Sequence, residues 1–273
     1  MKFQCFVDIN NQDNSSKTRK IAREISVLEN FIAYHYLKTI KTKALGLRIY
    51  LISDKLKERI NNPIAGIYPL VNIYMYFDFD NYLKSTNNYE KKEIIIKMFK
   101  EGIYRCAESM VWDIDPFIDA FQKIDALDFT FVSHTKKKRY KGIKKYIQLE
   151  TVCEPGFYHY YLLVKEGEKL HSRHKVVTIN AFYNLFFEHN RIITEDRWED
   201  SNTFVILGKK GHLERIKYEY KIDTDTLTTI FNLEPDVNEK EFMEEFDLAT
   251  TQDPKKIELV LNNNDTLKWH IYI

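Results

Sequence analysis

Cysteine is scarce in this 273-residue chain: Cys5, Cys106 and Cys153 stand far apart and are odd in number. That argues against a disulfide framework or a cysteine-based zinc site and fits a reducing compartment. Glycine is scarce too, eight in all, and neither a phosphate-binding nor a dinucleotide-binding glycine motif occurs. A Gly-x-Ser-x-Gly nucleophile elbow is also missing. No stretch approaches the roughly 18 uninterrupted apolar residues of a membrane-spanning helix. The N-terminus, Met1-Lys2-Phe3-Gln4-Cys5-Phe6, turns polar by Asn10 without the apolar stretch and small-residue cleavage site of a signal peptide. These absences predict a soluble, cytoplasmic protein with no membrane partner. An excess of either charge is lacking as well: 41 Lys and Arg face 40 Asp and Glu, for a net charge of +1. No overall field draws the chain to nucleic acid or to an anionic membrane, so any such binding has to be local.

Hydrophobic residues at 44% and charged residues at 30% are globular values, and they exclude a disordered or collagen-like chain. The length suggests two domains. Residues 2–9 favour a strand, and a polar stretch from Asn10 to Ser16 separates them from a helix whose stripe is Ile21, Ile25, Leu28 and Ile32. Leu47 to Ser53 reads as a second strand. A third spans about Leu70 to Phe79, with Ile73, Met75, Phe77 and Phe79 on one face and Tyr74, Tyr76, Asp78 and Asp80 on the other. Asn87 with Glu90 resembles a capping box and opens a long amphipathic helix through Ile95, Phe99, Ile103, Cys106 and Met110. Asp115-Pro116 starts another helix, ahead of a strand at Phe129 to Val132. The order predicts an α+β protein whose N-terminal layer, residues 1–134, is ferredoxin-like βαββαβ with a four-stranded antiparallel sheet. A basic junction loop, 135–145, then leads to a β-rich domain, 146–273, with short helices. Tyr146 to Val152 and Phe157 to Lys165 read as a hairpin, and Val176 to Ile179 as a strand. Short helices are expected at Phe182 to His189 and after Asn238. Thr203 to Leu207 and Leu213 to Ile222 flank Gly208-Lys209-Lys210-Gly211, a second hairpin signal. The tail is ambiguous, since Asp253-Pro254 is a helix-start signal while Ile257, Leu259 and Leu261 alternate as a strand would, and Leu267 to Ile273 is expected as a closing strand.

Several groups of residues invite a chemical reading. Lys136, Lys137, Lys138, Arg139, Lys141, Lys144 and Lys145 form a dense positive stretch without one acid, suited to phosphate, with Tyr140 and Tyr146 available to stack on bases. A solvated linker is the plainer reading of such a run. An acidic block from Glu234 to Asp247 offsets it. Asp8, Asp78 and Asp80 resemble metal carboxylates, yet in an antiparallel sheet Asp8 and Asp80 fall at opposite edges, which points to surface or capping roles. Asp200 with Glu219 and Lys221 has the spacing of a metal-dependent nuclease, although Glu219 and Lys221 also alternate with Tyr218 and Tyr220 as a solvent-facing strand would. His171 and His174 would suit a metal only on a helix, and His159 lies in an aromatic run. No catalytic residue, metal or cofactor is implied with any specificity.

Aromatics are abundant: 18 Tyr, 18 Phe and 3 Trp, or 14% of the chain. Tyrosine covers area at low side-chain entropy, so Tyr74, Tyr76, Tyr158, Tyr160 and Tyr161 would suit a recognition face. Codon bias of an AT-rich genome accounts for the same composition equally well.

The stretch Lys100-Glu101-Gly102-Ile103-Tyr104-Arg105-Cys106-Ala107, followed by Val111-Trp112-Asp113 and Pro116-Phe117-Ile118-Asp119-Ala120-Phe121, resembles a helix-to-helix segment of bacterial toxin-immunity-type proteins. The resemblance implies a cytoplasmic protein that binds and blocks a toxin, with no catalytic residues to carry over. The expectation is a non-enzymatic binding protein of immunity or inhibitor type that uses the tyrosines named above with Lys136, Lys137, Lys138 and Arg139 against a protein partner. The alternative is a nucleic-acid-binding protein or nuclease built on the 136–145 stretch, with Asp200, Glu219 and Lys221 as its catalysts.

Overall fold

The computed structural model describes residues 3–9, 16–42, 46–53, 64–65, 70–180, 193–208, 216–231, 257–260 and 266–269. The chain divides into two compact units, Met1–Phe131 with Cys153–Phe157, and Val132–Val152 with Tyr158–Ile273. The basic stretch 135–145 therefore lies inside the second unit. It does not join the two.

In the first unit, strand β1 (Gln4–Ile9) leads to helix α1 (Ser16–Ile32), which continues as a π-helical turn, Ala33–Leu37. Then follow β2 (Gly46–Ile52), the two-residue β3 (Ile64–Ala65) and β4 (Leu70–Tyr76). The sheet order is β1-β2-β4-β3, with β1 and β4 both parallel to β2 and only β3 antiparallel. The mixed helix and strand content is the one expected, but the antiparallel ferredoxin-like pairing is not what forms. The connection from β2 to β4 covers residues 53–69, long enough for the crossover of about a dozen or more residues that parallel strands need. Nor does the strand expected at Phe129 join this sheet. Asp128 and Phe129 turn at positive φ, and β5 (Val132–His134) pairs with a strand of the second unit.

Helix α2 (Phe79–Lys84) follows β4 directly, because the Asp78 carboxylate accepts the Asn81 N–H at 3.0 Å and stops the strand. Helix α3 (Asn88–Met110) is capped by Asn87, whose side chain accepts the Tyr89 N–H at 2.9 Å. Pro116 sits in the first turn of α4 (Asp115–Asp125), where its missing N–H costs nothing. These helices gather on one face of the sheet. Leu47, Ile49, Leu51, Val71, Ile73 and Met75 are buried there, and α3 comes so close that a Cβ on Gly102 would lie 2.8 Å from Ile49 Cδ1. At the start of β1, Phe3 packs edge-on against Trp112 and Phe117. Among the described residues the ion pairs of this unit include Lys91 Nζ to Glu24 at 2.8 Å, joining α3 to α1, Lys100 Nζ to Asp125 at 2.6 Å, joining α3 to α4, and Lys92 Nζ to Glu154 at 2.8 Å.

The second unit is a pair of sheets. One has the order β5-β7-β8-β9, built from β7 (Tyr146–Glu154), β8 (Phe157–Glu166) and β9 (Lys169–Asn180), with β6 (Lys138–Arg139) also on β7. The other has the order β10-β11-β12-β13-β14-β15: Ile193–Trp198, Thr203–Gly208, Ile216–Lys221, Thr226–Phe231, Ile257–Val260 and Thr266–Trp269. Period-two alternation supplies an inner face to each. Ile147, Leu149, Leu162, Val164 and Ile179 from one sheet share a core with Phe204, Ile206, Ile216, Tyr218 and Tyr220 from the other. The expected hairpin at 146–165 is present, β11 and β12 pair antiparallel as the second hairpin requires although its turn lies outside the described residues, and Ile257–Val260 is a strand. The helices expected at Phe182 to His189 and after Asn238, and the acidic block, lie outside the described residues. Among the described residues no helix is long and apolar enough to cross a membrane.

Candidate functional site

Strand parity in the parallel sheet sets Phe6 and Asp8 of β1, Arg48 and Tyr50 of β2, and Asn72, Tyr74 and Tyr76 of β4 on the face opposite the helices. The register aligns Phe6, Arg48 and Asn72 across the three strands, and Asp8, Tyr50 and Tyr74 one step further on. The helical face of the same strands is buried almost throughout. On this one Arg48, Tyr50, Asn72 and Tyr74 are half-buried and Tyr76 is 41% exposed, while Ile52, in register with Tyr76, is fully buried. Parallel sheets are normally covered on both faces, so such a platform is unusual.

The rings of Tyr50 and Tyr74 stack at 4.9 Å with an interplanar angle of 15°. Arg48 lies beside them: Nη1 is 3.5 Å from the Tyr50 hydroxyl, and its guanidinium carbon is 5.9 Å from the Phe6 ring centre. Arg48 Nε is 3.3 Å from Asp8 Oδ2 but is not aligned for a hydrogen bond, so the pair is held by charge alone. The result is a flat aromatic patch with one cation and one anion at its centre. Sequence alternation marked Tyr74 and Tyr76. It did not reveal Phe6, Arg48, Tyr50 and Asn72, because their adjacency depends on strand order.

The other tyrosines go elsewhere. Tyr160 is buried in the sandwich core and Tyr158 packs against it, so Tyr160 offers no contact surface. Tyr161 is half-buried under the Arg173 guanidinium, 3.5 Å from its ring centre, while Arg173 also binds Glu150 at 2.8 Å.

Parallel pairing changes the reasoning about Asp8, Asp78 and Asp80. All three lie toward the C-terminal end of the sheet and not at opposite edges, although β2 separates β1 from β4. Asp8 is engaged by Arg48 and Asp78 caps α2. An open cleft of about 480 Å³ lined by Lys17, Lys20, Asp80, Leu83 and Lys84 lies where α1 and α2 begin.

The nuclease reading finds its residues occupied. Asp200 Oδ1 accepts the N–H groups of Asn202 at 2.7 Å and Thr203 at 2.8 Å, closing the β10–β11 turn. Those hydrogen bonds hold its carboxyl below the usual carboxylate range. Glu219 lies between Lys217 at 3.1 Å and Lys221 at 3.9 Å on the surface of β12. His174 Nε2, Ser172 Oγ and Tyr220 Oη converge within 2.9 Å on Asp225 Oδ1, in a turn residue of φ 50°. Burial raises the Asp225 carboxyl, but these donors outweigh it and leave it below the ordinary value. Ser172 donates to the carboxylate and not to His174, so this is a knot that ties β9 to the β12–β13 turn, without the serine-to-histidine hydrogen bond that activates a nucleophile. Among the described residues no three metal-ligating side chains gather.

The basic stretch is an ordered hairpin. Lys138 and Arg139 of β6 pair with Ile147 and Tyr146, the Ile143 N–H donates to the Tyr140 carbonyl at 3.1 Å, and Gly142 supplies φ 87°. Lys138 Nζ is held by Asp196 at 2.7 Å, whereas Lys137 and Arg139 lie 4.9 and 5.4 Å from the Tyr146 ring centre. Compared with known proteins, the chain matches no family model, and neither a curated protein nor a solved structure shows significant similarity to it.

Proposed function

We propose that this chain is a non-enzymatic binding protein of immunity or inhibitor type, which blocks a protein partner such as a bacterial toxin through the open face of its parallel sheet. The observation that carries the reading is that face: the stacked Tyr50 and Tyr74, exposed Tyr76 and the Arg48–Asp8 pair on a rigid three-strand platform. Tyrosine and arginine at the centre of a patch are the residue types that dominate binding energy. Three strands about 4.8 Å apart and six residues long, at about 3.3 Å per residue, give a platform of roughly 300 Å². A stable interface buries about 800 Å² on each partner, so the platform is an anchor and the rim comes from the surface around it. The partner class is the one implied by the resemblance of residues 100–121 to toxin-immunity-type proteins.

The test uses the full chain as bait in native lysate. A stoichiometric complex should form without turnover. Tyr74→Ala with Tyr76→Ala should weaken it by about 30-fold or more, the loss expected of a hot spot worth about 2 kcal/mol, while the fold survives the loss of the Tyr50 stack, worth about 0.5–1.5 kcal/mol, as a cooperative unfolding transition shows. A complex indifferent to both substitutions, or catalytic consumption of the captured molecule, overturns the reading.

A further inference from the structure

The hairpin formed by β6 and the start of β7 raises a separate question, independent of the sheet face. Residues 136–145 hold seven cations and no acid. Most such runs are flexible and fully solvated, with little cost in keeping like charges apart. Here the strand pairing of Lys138 with Ile147 and Arg139 with Tyr146 holds them together. The Thr135 N–H donating to the Leu149 carbonyl at 2.9 Å, and the Gln148 side chain donating to the Thr135 carbonyl at 2.8 Å, fix the hairpin at its base.

The fold neutralises few of these charges. Lys138 is paired with Asp196, and Lys137 approaches Glu168 only at 3.8 Å, where Glu168 is 94% exposed and the pair is worth little. Among the described residues Lys136, Arg139, Lys141, Lys144 and Lys145 meet no carboxylate. Next to the turn, Tyr140 packs edge-on against Trp198 at 6.0 Å, and Trp198 Nε1 donates to the Lys138 carbonyl at 3.4 Å. Both rings are half-buried, so each is held in place and still presents surface. Clustered cations beside fixed aromatic rings are the combination that binds single strands, with phosphates on the lysines and bases on the rings.

We infer that this hairpin docks single-stranded nucleic acid. Rigidity lowers the entropy cost of gathering the cations, and with a net charge of only +1 the attraction is local and not a field of the whole chain. Each neutralised phosphate contributes about −0.7 to the slope of log affinity against log salt for a single strand. Five cations that meet no carboxylate among the described residues therefore predict a slope of about −3.5.

The experiment titrates the full chain with fluorescent oligothymidylate over a salt series, beside a duplex of equal length and polyglutamate. The expected result is binding to oligothymidylate with that slope. Lys136→Gln, Lys141→Gln, Lys144→Gln and Lys145→Gln combined should bring the slope about 3 units closer to zero. Because none of the four meets a carboxylate among the described residues, thermal unfolding should not change. Tyr140→Ala should lower affinity about fivefold or more with the slope unchanged, as loss of one stacked base would. Affinity weaker than about 100 μM at low salt overturns the inference, since even non-specific binding is commonly stronger. Duplex bound as tightly as the single strand overturns it, and so does polyglutamate bound as tightly, which would make the hairpin a site for acidic protein.

Discussion

Gly102 decides how closely α3 lies on the sheet. An added Cβ would meet Ile49 Cδ1 at 2.8 Å and Met75 Sδ at 2.9 Å, both ends of flexible side chains. Alanine gains about 1 kcal/mol of helix propensity and displaces only those ends, so Gly102→Ala should be close to neutral. Gly102→Val adds volume that the packed face cannot absorb and should cost about 1–3 kcal/mol by urea unfolding. Val111 shows the opposite economy. It ends α3 in the left-handed region at φ 52° with 85% of its surface exposed. Left-handed geometry costs a non-glycine residue about 1–2 kcal/mol, and glycine's extra unfolded-state entropy returns about 0.5–1 of that. Val111→Gly should therefore stabilise by up to about 1 kcal/mol, measured the same way. Glu29 predicts a pH effect. Burial raises its carboxyl to about 8 with Asp8 adding to the rise, while a hydrogen bond from the Val7 N–H opposes it. A raised folded-state value means that its stabilisation is full below the ordinary value of about 4.5 and is lost as pH rises through about 8. The stability difference between wild type and Glu29→Gln should thus shift against the wild type from pH 5 to pH 8.5, by a few kcal/mol. A pH-independent difference contradicts this.

Between elements, the informative contact is Glu24 of α1 with Lys91 of α3, both side chains 9% exposed. Lys91 Nζ also lies 5.2 Å from the Tyr82 ring centre, so a third helix shares the cluster. Lys91→Met leaves the buried Glu24 with only the exposed Lys20 at 3.9 Å, and a buried charge so poorly paired is expensive, so the substitution should cost up to about 3–5 kcal/mol. Replacing both partners, with Glu24→Met added, should recover most of that loss in a double-mutant cycle; additive losses would show that the charges do not act on each other. Sequence periodicity found α1, α3, α4 and the β7–β8 hairpin, because each carries its own stripe, cap or turn residue. It did not find the pairing direction in the first sheet. Alternation in Leu47–Ile52 is the same whether the neighbouring strand runs parallel or antiparallel. The strand expected to run to Phe79 stops at Tyr76 for a local reason, the Asp78 cap, which a two-residue alternation conceals.

For the whole molecule, two architectures in one chain explain why composition was a poor guide to function. The aromatic content divides between cores and surface: Tyr160, Tyr218 and Tyr220 fill the sandwich, whereas Tyr50, Tyr74 and Tyr76 form the sheet platform. Of that platform the sequence marked Tyr74 and Tyr76, whereas Phe6, Arg48, Tyr50 and Asn72 required the strand order. The basic stretch was legible as charge but not as a hairpin, since its pairing partners lie in β7. The central claim is that the open sheet face is the contact surface. A photo-crosslinking amino acid at position 76, compared with one at the exposed position 169 in the second unit, tests it most directly in native lysate. The account predicts one discrete adduct from position 76 and none of that mass from position 169. No adduct at 76, or the same adduct from both positions, would contradict it.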